Sequence, residues 1–257
     1  MKTVALHAVD SGGGGDPVLL AHAIGMDHRM WDDLASRLAP EYRVIRFDAR
    51  GHGQSPVPPR PYALQGMADD AAALLDRLGI AKAHFVGLSM GAMIGMAFAL
   101  RHPGRLGRLV LANTTLSYGP EGRSMWAARA KAVQQGGLEA IKDMVMNRYF
   151  SEVYRSGQAT SVAQVTEHFL QTPVDGYLGC CDAIGELDFT DDVSRIHART
   201  LVIAGEADAG TPPAMAEAIA RRISGSQLAV IPGAAHLAAV EKPEEFAALV
   251  KGFLDAP

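Results

Sequence analysis

Gly87-Leu88-Ser89-Met90-Gly91 is the stretch on which the fold turns. Ala83-His84-Phe85-Val86 runs into it, apolar and β-forming, as a buried strand would be. Met90 to Arg101 follows, apolar on nearly every side, which predicts a buried helix that Pro103 stops. A serine between two glycines at a strand-to-helix junction predicts a turn too tight for neighbouring side chains. Such a turn lifts the Ser89 hydroxyl above the sheet. It also aims the helix's free N–H groups and positive dipole end at whatever approaches. The plainer alternative is a tight turn closed by a helix-capping serine.

Outward from this junction the pattern repeats. Val18 to Ala21, Arg43 to Phe47, Arg108 to Ala112, Thr200 to Ala204 and Gln227 to Ile231 are further short apolar runs bounded by turn formers. Tyr62 to Leu78 has helical spacing of its apolar residues and ends at Gly79. Pro212 to Ile223 and Pro243 to Leu254 open with prolines, which suit a first helical turn. Strands alternating with helices predict an α/β fold, a mostly parallel central sheet with helices on both faces. From Leu116 to about Asp192 no run reads as a buried strand, and Trp126, Val133, Ile141, Met144, Val145, Tyr149, Phe150 and Val153 fit helices. The expected organisation is a core over residues 1–115 and 193–257, with a helical cap over 116–192 inserted between two core strands.

Composition narrows the function classes. The chain has 257 residues, 48% hydrophobic and 20% charged, ample for a buried core and wrong for a disordered segment. A net charge of −4 gives no footprint for nucleic acid or an anionic membrane. The Ala83 to Leu100 stretch carries no Lys, Arg, Asp or Glu, but His84, Ser89 and its glycines favour strand, turn and helix over a membrane span. The first residues do not read as a secretory signal. Cys180 and Cys181 are adjacent and build no disulfide framework, which suits a reduced, cytoplasmic setting. No His/Cys/Asp/Glu run has metal-ligand spacing and no glycine-rich phosphate loop occurs, so no cofactor or metal is expected.

A nucleophilic serine needs a base, and the base an orienting carboxylate, in the chain order serine, acid, histidine for this kind of turn. Two loops after C-terminal strands supply both. Asp208 is the expected acid and His236 the expected base. Glu206 competes with Asp208 from two residues away. Asn113, after the fourth strand, has no charge to offer. Asp48 and His52 precede the serine and read as loop-shaping residues, while His84, His102 and His197 read as core or surface histidines. The backbone N–H groups of Met90 and Ile24 are the expected oxyanion donors, and His22 is expected to hold the Ile24 loop.

The chain resembles the α/β-hydrolase superfamily in His22-Ala23-Ile24-Gly25, in Asp48-Ala49-Arg50-Gly51-His52-Gly53-Gln54-Ser55, in the serine turn, and in Gly205 to Pro213 and Ala235-His236. Within it, Gly176 to Ile184, Ala234 to Glu241 and the Trp126 and Arg129 stretch are similar to the 3-oxoadipate enol-lactonase group. The resemblance places the family's triad on Ser89, Asp208 and His236. It implies an α/β-hydrolase fold and water-driven opening of an enol-lactone that carries a carboxymethyl arm. The implied partner is a small anionic ester or lactone, with Arg129 expected to meet the carboxylate and Trp126 to wall the pocket. Ala23 stands where many relatives carry Gly or Ser, and Ala92 where many carry a second Gly; both are small, which keeps the fold and leaves room for a different pocket. A carboxylesterase, another lactonase or a cofactor-free perhydrolase would use the same triad, and a non-catalytic binding protein would keep only the fold. Dehalogenase and epoxide hydrolase chemistry needs an aspartate where Ser89 stands.

Overall fold

A computed structural model describes residues 2–256. Seven strands form one sheet: β1 (Ala8–Asp10), β2 (Asp16–Ala21), β3 (Tyr42–Phe47), β4 (Ala83–Leu88), β5 (Leu106–Ala112), β6 (Thr200–Gly205) and β7 (Gln227–Ile231). Their order across the sheet is β1-β3-β2-β4-β5-β6-β7. β1 pairs antiparallel with β3, and every other neighbouring pair is parallel. The six expected strands are all present. β1 was not expected, because three half-buried residues carry too little pattern to read.

The helices are α1 (Asp32–Leu38), α2 (Leu64–Arg77), α3 (Met90–Arg101), α4 (Gly119–Gly136), α5 (Lys142–Tyr149), α6 (Glu152–Gly157), α7 (Ala159–Leu170), α8 (Val174–Gly185), α9 (Pro213–Ala220), α10 (Ala238–Glu241) and α11 (Pro243–Asp255). α3 is buried along almost its whole length, as its apolar circumference demands. α4 to α8 all lie between β5 and β6, so the insertion is helical, and only an isolated bridge from Ser117 to Asp188 closes its base. The short α1 and α10 lie outside the expected elements. No helix is long and apolar enough to cross a membrane among the described residues.

Parallel strands present all their C-terminal ends at one edge, where crossover loops are free to diverge. The loops after β2, β4, β5, β6 and β7 therefore meet there, beneath the inserted helices. The core cluster continues from strand residues such as Leu19 and Val86 into Trp126, Phe150 and Tyr177 of the insertion.

Candidate active site

The loop after β4 sets Ser89 at φ 56, ψ −115, a conformation that side chains rarely adopt. The surrounding backbone holds it there. Its amide donates to the Ala112 carbonyl at 2.8 Å, and the Thr114 hydroxyl donates to its carbonyl at 3.2 Å. Both flanking glycines are sterically required. A Cβ on Gly87 would fall 2.3 Å from the Gly91 carbonyl oxygen, and one on Gly91 would fall 1.9 Å from that of Ala21. The same contact presses the start of α3 against the loop that follows β2.

Ser89 Oγ lies 2.9 Å from His236 Nε2, and His236 Nδ1 lies 2.8 Å from Asp208 Oδ2. All three side chains are buried. The Asp208 carboxylate is fully engaged. Oδ1 accepts the amides of Gly210 at 2.8 Å and Thr211 at 3.0 Å. Oδ2 also accepts the Thr211 hydroxyl at 2.6 Å and the Asn113 side-chain amide at 3.0 Å. Burial alone would raise its pKa. The His236 ring beside it, with the hydrogen bonds from His236, Thr211 and Asn113, outweighs burial and holds the carboxyl well below the usual range. Glu206 is elsewhere: it is exposed and accepts the Gly233 amide at 2.9 Å.

The amides of Ile24 and Met90 donate to no acceptor among the described residues. Their neighbours are fixed. The Gly25 amide donates to His52 Nε2 at 2.9 Å, and the Met26 amide to the Ala23 carbonyl at 3.1 Å. His22 bridges the Ala23 carbonyl at 2.8 Å and the Ala49 amide at 2.9 Å. Since each ring accepts an amide at Nε2, both histidines must be neutral, with the His22 proton on Nδ1. Burial favours that state, depressing the His22 pKa and lowering His52 to about 3. Asp48 takes amides of its own and adjoining loops, His84 accepts the Arg108 amide, His102 pairs with Asp69, and His197 is exposed. None of these contacts Ser89 or His236.

The inserted helices roof the site. Tyr149, at the end of α5, stacks on His236 with ring centroids 5.8 Å apart, and its hydroxyl donates to the Ile24 carbonyl. Arg129, on α4, is buried with its guanidinium 4.8 Å from the Trp126 ring and 5.5 Å from the Tyr177 ring. Its Nε and Nη2, the Trp126 indole nitrogen and the Tyr177 hydroxyl have no hydrogen-bond partner. Buried donors are nearly always satisfied. Arg129 and its two aromatic neighbours together carry four such atoms.

A family model described as the alpha/beta hydrolase fold matches residues 16–243. The chain is an α/β hydrolase. It is 32% identical over 237 residues to a 3-oxoadipate enol-lactonase of Acinetobacter baylyi, covering 92% of this chain and 88% of that protein. Its structure matches the enol-lactonase of Burkholderia xenovorans LB400 with a TM-score of 0.94 at 33% identity, over 98% and 97% of the two chains. It also matches a thermophilic esterase of Thermogutta terrifontis, solved with malate bound, with a TM-score of 0.93 at 34% identity, over 98% and 93%.

In this hydrolase the structure brings together Ser89, Asp208 and His236, packs the start of the Ile24 loop against the turn that carries Met90, and sets Trp126 and Arg129 side by side in the insertion. Sequence reasoning missed Thr211, Asn113 and Tyr149. Asn113 was set aside because it cannot be an acid; it is instead a donor to the acid, held at φ 47. Thr211, three residues after Asp208, fits a side-chain turn that spacing could have flagged. Tyr149 gave no local signal, since its partners Ile24 and His236 are distant in the chain.

Proposed function

We propose that this hydrolase opens an enol-lactone ring, converting 3-oxoadipate enol-lactone to 3-oxoadipate through an acyl-enzyme on Ser89. The observation that carries the substrate reading is the buried Arg129, whose Nε and Nη2 meet no acceptor, in the same helical insertion that stacks Tyr149 on His236. A guanidinium with free donors suits a carboxylate, and the carboxymethyl arm of the enol-lactone is one. The enol-lactonase relatives support this reading. So does the malate held by the esterase neighbour, since malate is itself a carboxylate.

Ser89 attacks the lactone carbonyl while His236 Nε2 takes its proton. Asp208 keeps the imidazole proton on Nδ1 and stabilises the imidazolium as it forms. The amides of Met90 and Ile24 receive the developing oxyanion, each contributing roughly 3 kcal/mol to the transition state. Collapse of the tetrahedral intermediate breaks the ring C–O bond and releases an enolate, which His236 protonates on the way to the ketone. The second carboxylate of the product forms when water, deprotonated by His236, attacks the Ser89 ester and frees the serine.

The test is kcat/KM for the carboxymethyl enol-lactone beside p-nitrophenyl acetate and a neutral lactone. A preference of a hundredfold or more, near 3 kcal/mol of transition-state binding, is expected for the enol-lactone. A flat profile would leave an esterase of broad range and remove the substrate assignment.

A further inference from the structure

Away from Ser89, His7 lies just ahead of β1, His28 follows the loop after β2, and Asp48 lies just past β3. One ring nitrogen of each histidine and one carboxylate oxygen of Asp48 lie within 4.8 Å of one another. We propose that His7, His28 and Asp48 form a binding site for a divalent transition ion of the Zn2+, Co2+ or Ni2+ kind, which ties the N-terminal segment to two core loops. Two imidazole nitrogens and one carboxylate oxygen form the mixed donor set these ions take, whereas Mg2+ and Ca2+ favour oxygen alone.

The backbones of His7 and His28 and the Asp48 carboxylate are held in place before any ion arrives, and rotation of the His7 ring closes the site around it. The Asp48 amide donates to the His7 carbonyl at 3.0 Å, and the His7 amide to Ser55 Oγ at 2.8 Å. Ser55 Oγ in turn donates to the Asp48 carbonyl at 2.6 Å. The His28 amide donates to Asp48 Oδ1 at 2.8 Å and the Gln54 amide to Oδ2 at 2.9 Å, which fixes the carboxylate plane. The two imidazole rings stand 5.2 Å apart. His28 and Asp48 also line a cavity of about 370 Å³ that opens to solvent and can supply the remaining coordination positions with water. The charged neighbours there, Asp27 and Arg29, pair with each other at 2.5 Å, so the arginine is neutralised locally.

His28 Nδ1 is 2.8 Å from Asp48 Oδ1, a contact now bridged by a proton. An ion about 2.0 Å from each atom would replace that proton after both shift by a few tenths of an ångström. The displaced proton leaves to Nε2 or to solvent, as metal binding to imidazole requires. The fixed carboxylate then offsets part of the ion's charge.

Metal-stripped protein titrated with Co2+ should develop the visible d–d bands of a four-coordinate site, saturating at one equivalent, and Zn2+ should abolish them. Zn2+ should also raise Tm in a concentration-dependent way. His7→Ala should abolish the bands and weaken Co2+ binding at least tenfold, the least that loss of even an outer-shell partner costs. Because the His7 ring is half-buried at the edge of the site, His7→Gln is made alongside, and circular dichroism checks that each variant folds. Ser89→Ala should bind the ion like wild type, so loss of the hydrolase reading would leave this one standing. Equal binding to wild type and to either folded His7 variant, or no ordered d–d bands, would overturn the site.

Discussion

Arg129→Met separates a residue kept for a ligand from one kept for the fold. Structural arginines stabilise the chain that holds them, and Arg129 is badly placed to do so. Its Nε and Nη2 are buried without acceptors, at a cost of about 1–3 kcal/mol each. The contacts over Trp126 and Tyr177 return about 1–2 kcal/mol each. The terms nearly cancel, and methionine fills similar space, so stability should change by less than about 2 kcal/mol, under roughly 8 °C in Tm for a chain of this size. The substrate side differs. Two charge-assisted hydrogen bonds to a carboxylate, at about 1.5–3 kcal/mol each, put the loss in kcat/KM for the enol-lactone at roughly a hundredfold or more. Turnover of p-nitrophenyl acetate, which carries no carboxylate, should stay within about threefold of wild type. Arg129→Lys should recover only part of the loss, because an ammonium is a point charge and not a fork. The assay pairs both substrates with a thermal melt. Equal losses on the two substrates, or a large fall in Tm, would refute the carboxylate role and make Arg129 a packing residue.

Ser89→Ala should abolish hydrolysis of every ester and lactone with the melt unchanged, and residual turnover above a percent of wild type would remove its nucleophilic role. Asp208→Asn should cost roughly 10⁴ in kcat, while Glu206→Gln should sit near wild type; the reverse order would move the acid to Glu206. Tyr149→Phe keeps the stacking on His236 but frees the Ile24 carbonyl, and should lower kcat about fivefold, near the 1 kcal/mol of one hydrogen bond, with little change in KM. His22 and His52 have pKa values lowered by burial, His52 from 6.5 to about 3, so the unfolded chain takes up protons that the folded chain refuses. Stability should therefore be full above about pH 6.5 and decline as pH falls towards 3, by up to about 1.4 kcal/mol per pH unit for each histidine. Urea unfolding at pH 6.5 and 4.5 reads this, and His52→Gln should flatten the slope by close to one proton.

Much of the architecture was legible because its signals are local. The Gly87 to Gly91 turn, the apolar circumference of α3 and the alternation of strands with helices are all written within short windows. Asp208 and His236 could be named because chain order and strand ends constrain where an acid and a base can stand. What escaped was set by contacts across the chain. β1 is too short to show a period. Tyr149 acts on residues more than 80 positions away, and Asn113 contributes a donor where only an acid was sought. The His7, His28 and Asp48 grouping has no motif spacing, because the sheet edge and not the sequence brings it together.

The Tyr149 contact bears on how this scaffold can be re-engineered. A single side chain from the inserted helices touches both His236 and the loop bearing Ile24. The insertion is therefore not an interchangeable specificity module set on an autonomous catalytic base. A chimera that imports a foreign helical segment between β5 and β6 would lose the phenol that braces two parts of the proposed machinery. Grafts that preserve an aromatic hydroxyl at this position should retain turnover on small esters, and those that omit it should fold yet work slowly, whatever pocket they bring.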